Sequence, residues 1–220
     1  MWQEVTAIRA QKHQPNRVNI FLDGSFAFSL GAEVVAKAGL KEGDRLSPSQ
    51  VETLAGADLE QRCYMAALGY LGYRARSSWE LRDRLSRRGF GAAVIDRVLS
   101  KLAGQGLVDD ESFARYWLEN RESFSPRSRL MLKRELRGKG VAEEIVAEVL
   151  AGVDEEASAL RAARRRIRAW PAMEYREFRR RLGAYLRRRG FGFELVNNTV
   201  NRLWAERALS LTPQGERHGN

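Results

Sequence analysis

Few residues in this sequence have the types and spacing that chemistry requires. His13 falls in a loop marked by Pro15-Asn16, and His218 falls in the C-terminal tail. Neither has a cysteine or carboxylate at metal-ligand spacing, so no metal centre is expected. Cys63 is the single cysteine and has no histidine partner, so it reads as a helix residue rather than a nucleophile. A lone cysteine also excludes an internal disulfide framework and fits a reducing compartment. Asp109, Asp110 and Glu111 could hold a hard cation, but they abut a helix start, where acidic side chains complement the positive helix end; capping is the better reading. No GxxxxGK[ST] or GxGxxG occurs, so no phosphate-cradling loop is indicated. The chain is therefore read as non-enzymatic, with no catalytic residue, metal or cofactor assigned.

Arginine carries what signal remains. Lys and Arg total 38 against 28 Asp and Glu, a net charge of +10, which favours a polyanionic partner and says nothing about fold. Between residues 161 and 189 there are twelve arginines and two glutamates, too lopsided for a surface kept soluble by ion pairs. Arg161, Arg165 and Arg168 recur at helical spacing opposite Leu160, Ala163, Ile167 and Trp170, and Arg180, Arg187 and Arg188 continue the charge. Arg87, Arg88, Arg127, Arg129 and Lys133 are the corresponding candidates earlier in the chain. Any one of these reads more simply as part of a solvated face; the argument for binding is collective. Tyr70, Tyr73, Phe90, Trp117, Phe124, Tyr185 and Phe191 could stack bases, but most occupy apolar-face positions, where packing is the default.

The elements that position these residues fall into two kinds. Up to about residue 59 the pattern is that of strands: VNIFL and FAF alternate, and Asp23-Gly24 between them is a hairpin signal. A small antiparallel sheet is expected, then a short helix near 31–38, with Pro48 suited to the first turn of a following helix. From about residue 60 the pattern is helical. Aligning the chain on Gly89, Gly140 and Gly190 exposes an internal repeat. Leucines stand four and eight residues before each glycine: Leu85, Leu136 and Leu186, and Leu81, Leu132 and Leu182. Apolar residues stand one, six and ten after it: Phe90, Val141, Phe191; Ile95, Val146, Val196; Leu99, Leu150, Val200. A glycine just past a helix is the left-handed stop of a Schellman motif, in which Phe90, Val141 and Phe191 lock onto Leu85, Leu136 and Leu186.

Helix starts are read at Ser77, with Glu80 completing a capping box, at Ser125-Pro126, at Asp109, and, in the third copy, after Pro171. The expected organisation is a β-containing region over 1–59, three-helix repeats over 60–108, 109–153 and 154–207, and a frayed tail over 208–220: a mainly α chain in an elongated, curved array. The N-terminus lacks the apolar stretch of a secretory signal, and the uncharged run from Cys63 to Tyr73 is shorter than the roughly 20 residues a membrane span needs. A cytoplasmic protein with no membrane partner is expected.

The residues also carry a family resemblance. R-x-R-S-x-x-E-L-x-x-x-L from Arg74 to Leu85, followed by Gly89-Phe90 and the helix with Ile95, Val98, Leu99 and Leu102, resembles the RecX family. So do L-V-D-D-x-x-F-A-x-x-W from Leu107 to Trp117, Arg121, and L-x-x-K-G-V from Leu136 to Val141, and the strand segment R-V-N-I-F-L-D-G. The resemblance covers Ile8 to about Leu203. It implies tandem three-helix modules and a mainly inhibitory regulator of the RecA recombinase, binding as a monomer in the groove of the RecA–DNA filament and limiting filament growth, strand exchange and ATP hydrolysis. Direct DNA binding, acting by competition, is the alternative that the arginine excess supports.

Overall fold

A computed structural model of the chain describes residues 1–211, which form a four-stranded antiparallel sheet and ten α-helices. They divide into two units, Met1–Val108 and the part from Asp109 onward.

In the first unit, β1 (Gln3–Ala10), β2 (Arg17–Leu22), β3 (Ser25–Gly31) and β4 (Arg45–Leu46) lie in the order β3-β2-β1-β4. Asp23 and Gly24 both have positive φ, 48° and 81°, the two-residue turn whose twist matches that of the strands it joins. Val5, Ile20, Leu22, Leu30 and Leu46 make one buried face. A short helix, α1 (Ala32–Ala38), follows and stops at Gly39.

Next comes α2 (Pro48–Tyr73), capped by Ser47, whose hydroxyl accepts from the Gln50 N–H while the Gln50 side chain returns a bond to the Ser47 backbone. This helix runs unbroken through residues 59 and 60, where the sequence suggested a boundary. The periodicity changes there because the helix changes partner, with no stop in the backbone. Leu54 and Val51 pack on the sheet, whereas Cys63 and Ala67, about two turns later, sit in the core of the first repeat. Asp58, near the changeover, accepts from Arg17 Nη1 at 3.2 Å and from the Gly31 N–H at 2.7 Å, pinning the sheet to the helix.

With α3 (Ser78–Arg87) and α4 (Ala92–Gly104), the C-terminal half of α2 encloses Leu81, Leu85, Ile95, Val98 and Leu102. The second unit repeats the plan twice. α5 (Asp110–Phe124), α6 (Arg129–Gly138) and α7 (Glu143–Ala151) bury Phe113, Leu132, Leu136 and Val146; α8 (Glu155–Ile167), α9 (Tyr175–Arg188) and α10 (Phe193–Leu211) bury Phe178, Leu182, Leu186 and Val196. The six leucines before the glycines are fully buried, so each would cost roughly 2–5 kcal/mol as alanine.

The three glycine joints share one geometry. Gly89, Gly140 and Gly190 have φ of 87°, 73° and 88°. The N–H of Phe90, Val141 and Phe191 returns to the carbonyl of Leu85, Leu136 and Leu186 at 3.2, 3.2 and 3.3 Å, and each glycine N–H returns to the residue after that leucine at 2.9 Å. Both bonds of the Schellman motif are thus made in all three copies.

One helix start differs from the sequence reading. The N-cap of α6 is Ser128, whose hydroxyl accepts from the Met131 N–H at 3.2 Å; Ser125 instead ends α5. Pro126 is buried in the intervening turn and does not open the helix. In the third copy Phe178 stands where the other two have the capping serine. α9 starts at Tyr175 on Glu174, with no side-chain cap, and Phe178 becomes core. At Asp109 the carboxylate accepts from the Glu111 N–H and the Ser112 hydroxyl, as a cap does. α10 continues past residue 207, and the rest of the anticipated tail, including His218, lies outside the described residues.

Candidate anion-binding surface

Most polar side chains of the recognisable motifs point into the fold. Arg74 forks onto Glu80 with bonds of 3.0 and 2.9 Å, the geometry in which guanidinium and carboxylate match best. Arg76, 6% exposed, donates Nε to the Tyr70 carbonyl at the end of α2, and burial holds its pKa below the ordinary arginine value. In the next repeat Glu135 is a hub, accepting from Trp117 Nε1 and Arg121 Nε, both at 2.8 Å, and pairing with Arg127. These residues build the turn between first and second helices of their repeats.

The aromatic candidates are treated similarly. Tyr70 has Arg76 and Arg84 each 5.6 Å from its ring centre; Trp117 has Arg121 at 4.5 Å and Lys139 at 4.2 Å; Tyr185 has Arg166 at 5.6 Å and Arg189 at 4.8 Å. Each repeat thus sets two cations against one half-buried ring, an arrangement that shields the ring and holds the cations by their attraction to it. Phe191 is buried outright, and Tyr73 and Phe124 are exposed.

The candidate cations separate into groups. In the first unit Arg87 pairs with Asp83 one turn back, while Arg88 lines a groove of about 750 Å³ with Arg17, Arg62, Met65 and Phe90. In the second unit Arg127 pairs with Glu135, Lys133 with Glu143, and Arg129 donates to the Val153 carbonyl at 2.6 Å.

Arg161 and Arg165 are binding candidates in the sequence. Both are exposed, and both reach from α8 to the preceding repeat. Arg161 pairs with Glu122, whose carboxylate also accepts from the Ser158 hydroxyl at 2.8 and 2.9 Å, and Arg165 donates to the Ser123 carbonyl. Arg189 completes this seam, donating to Ser125 Oγ at 3.0 Å and the Pro126 carbonyl at 2.8 Å, while its own carbonyl accepts from the Ser128 N–H. Helical spacing correctly places Arg161 and Arg165 together, and both spend hydrogen bonds on the preceding repeat while staying exposed.

Arg168, at the end of α8, and Arg180, Arg187 and Arg188, on α9, are exposed. α9 adds Arg176 and Arg179. Arg168, Arg176, Arg179, Arg187 and Arg188 have no ion pair among the described residues; Arg180 has Glu177 at 4.0 Å, and Arg181 has it at 2.5 Å. Arg166 and Arg181, which the sequence reading did not select, line a notch of about 330 Å³ with Arg180, Arg188, Ala184, Tyr185 and Trp170. Arg166 lies off the 161-165-168 stripe, so a rule that picked one stripe passed over it.

A small sheet followed by tandem three-helix repeats, with inward-turned motif polar groups and an arginine surplus on one helix, defines a helical-repeat protein. Four family models match in chain order: the regulatory protein RecX N-terminal domain over residues 3–47, and the first, second and third three-helix domains of RecX over 63–102, 109–150 and 154–200. The regulatory protein RecX of Bacillus licheniformis is 31% identical over 196 residues, 88% of this chain and 74% of its own; that of Bacillus subtilis is 28% identical over 202 residues, 90% and 76%. A crystal structure of regulatory protein RecX superposes with a TM-score of 0.67 at 26% identity, covering 89% of this chain and 97% of that one. The chain belongs to the RecX family of regulatory proteins. Among its described residues no helix is long and apolar enough to cross a membrane.

Proposed function

We propose that this protein regulates the RecA recombinase, mainly as an inhibitor, by binding in the groove of the RecA–DNA filament and limiting its growth, strand exchange and ATPase. The observation that carries this reading is the match to all four RecX domains, in order, from residue 3 to residue 200. Tandem repeats suit a repeating partner, because several weak contacts on one chain add through effective concentration. The reading includes action in the bacterial cytoplasm as a monomer, without cofactor or catalysis.

RecA ATPase on single-stranded DNA, titrated with this protein, tests it. Inhibition at ratios far too low to coat the DNA is the expected result. A second reading, competition for DNA itself, is favoured by the unpaired arginines of α9. It predicts inhibition only near DNA saturation, relieved by added DNA, and a steep fall of DNA affinity with salt.

A further inference from the structure

We infer that the outer face of α9, with the notch between α8 and α9, is a site for the phosphodiester backbone of a nucleic-acid strand. The notch has guanidiniums on both walls: Arg166 from the last turn of α8, and Arg180, Arg181 and Arg188 from α9. Ala184 and the rings of Trp170 and Tyr185 complete its lining. Of the four, Arg188 has no ion pair among the described residues, and Arg166 contacts only the rings of Trp170 and Tyr185. Among the described residues the carboxylate that pairs with the set is Glu177, 2.5 Å from Arg181 and 4.0 Å from Arg180. Four guanidiniums and Glu177 therefore leave a net three positive charges at this notch of about 330 Å³.

Arg180 also lines a neighbouring shallow hollow with Arg176, Arg179 and Arg187, where four arginines face two carboxylates, Glu174 and Glu177. Gly183 lies beneath it; a Cβ there would come within 3.3 Å of Arg187 Nη1, so the absence of a side chain leaves room for that guanidinium against the helix. From Arg176 to Arg188 the helix rises about 18 Å.

Five arginines that face solvent over that length could meet about five successive phosphates, since a strand carries a charge about every 3.4 Å. A peptide would match them only if acidic at nearly every residue, whereas a nucleic acid has that density in its backbone. Guanidinium also binds phosphate oxygens bidentately. The assignment rests on the second reading above, binding of DNA itself, and gives it a site. Its test contains no recombinase, and oligonucleotide binding by wild type with silent α9 variants would overturn the site alone.

The test is direct binding of the full-length protein to a fluorescent single-stranded oligonucleotide across a salt series. Arg180→Gln/Arg188→Gln should lower affinity at least tenfold and flatten the slope of log K against log salt by about 1.4, two contacts at about 0.7 each. Arg166→Gln, on the other wall, should lower affinity several-fold. Arg97→Gln/Arg115→Gln, which removes two exposed charges engaged elsewhere, should change it less than twofold. Circular dichroism melts matching wild type would show that the losses are not unfolding. The inference is overturned by equal losses in the control, by a silent Arg166→Gln, or by no oligonucleotide binding in wild type. Displacement by polyglutamate as effective as by unlabelled strand of equal charge would make it an acidic-protein site, and displacement by inorganic phosphate at equal charge a small-anion site; either overturns the assignment.

Discussion

Gly89 and Gly190 are a matched pair that separates backbone strain from packing. Their φ values are 87° and 88°, and both close the same Schellman motif. Alanine at either position meets the left-handed penalty, about 1–2 kcal/mol. At Gly89 a Cβ would find nothing within 4 Å, so the penalty ends there. At Gly190 it would stand 2.3 Å from Met131 Cγ and 2.4 Å from Ser128 Oγ. The methionine can move. Ser128 is held three ways: it is fully buried, its hydroxyl caps α6, and its N–H donates to the Arg189 carbonyl at 3.0 Å. Displacing it forfeits the cap, about 1 kcal/mol, and weakens a buried hydrogen bond worth about another 1. Gly190→Ala should therefore cost about 3–4 kcal/mol, against about 1–2 for Gly89→Ala. Urea unfolding of the full chain, with unchanged m-values as a check, measures the difference. Ser128→Gly, which costs a cap only a few tenths of a kcal/mol, should recover about 1 kcal/mol of the Gly190→Ala loss in the double variant. Equal costs at the two glycines, or strictly additive effects with Ser128→Gly, would refute the claim that the third joint is wedged against the second repeat.

Asp58→Ala should destabilise the chain by about 3 kcal/mol, since it strands a half-buried Arg17 and the Gly31 N–H. Asp58→Asn, which keeps an acceptor, should cost less, and an alanine effect under about 0.5 kcal/mol in urea unfolding would mean the sheet is not held at this point. Cys63 is fully buried, and burial, then Glu60, push its thiol above the usual range, so a colorimetric thiol reagent should label it only after denaturant is added. Labelling of the native protein within seconds would contradict that burial. The Asp109 carboxyl is held below its ordinary value by the Ser112 hydroxyl and then the Glu111 N–H. Its folded pKa is depressed, so its contribution is complete above the unfolded value of about 3.9 and is lost as pH falls through the folded one. Asp109→Asn keeps an acceptor at the N-cap without the charge, and its melting-temperature deficit against wild type should shrink as pH drops from about 5 to about 3; a deficit that grows would show the sign is wrong.

What was legible in the sequence follows from what repeats. Three copies of leucine, leucine, glycine and an apolar residue at fixed offsets identify the joints, because a left-handed backbone and a buried C″ contact restrict those positions whatever surrounds them. The same arithmetic contains the cap that the local reading missed. Ser77 precedes Gly89 by twelve residues, and Ser128 precedes Gly140 by twelve. The Ser125-Pro126 pair drew the assignment away because it resembles a helix start taken alone. Its serine instead ends α5 and accepts a bond from Arg189.

Charge was less legible, for a different physical reason. A helical period states which residues share a face, and says nothing about what that face meets. Arg161, Arg165 and Arg168 form a proper stripe and all three are exposed. Yet Arg161 and Arg165 are engaged by Glu122 and the Ser123 carbonyl across the seam between repeats, and only Arg168 has no such bond among the described residues. The two octets RLSRRGFG and YLRRRGFG show the same limit. Arg88 and Arg189 occupy one position in the repeat, but Arg88 lines an open groove, whereas Arg189 is tied to Ser125, to Pro126 and to the ring of Tyr185. Nothing within either octet distinguishes them; the difference comes from a neighbouring repeat docked against the third joint. An arginine here is a candidate for binding according to which carboxylates and carbonyls the adjoining repeat offers it. By that criterion the surplus narrows to α9, whose six arginines meet only Glu177 on the same helix and Glu174 at its N-cap.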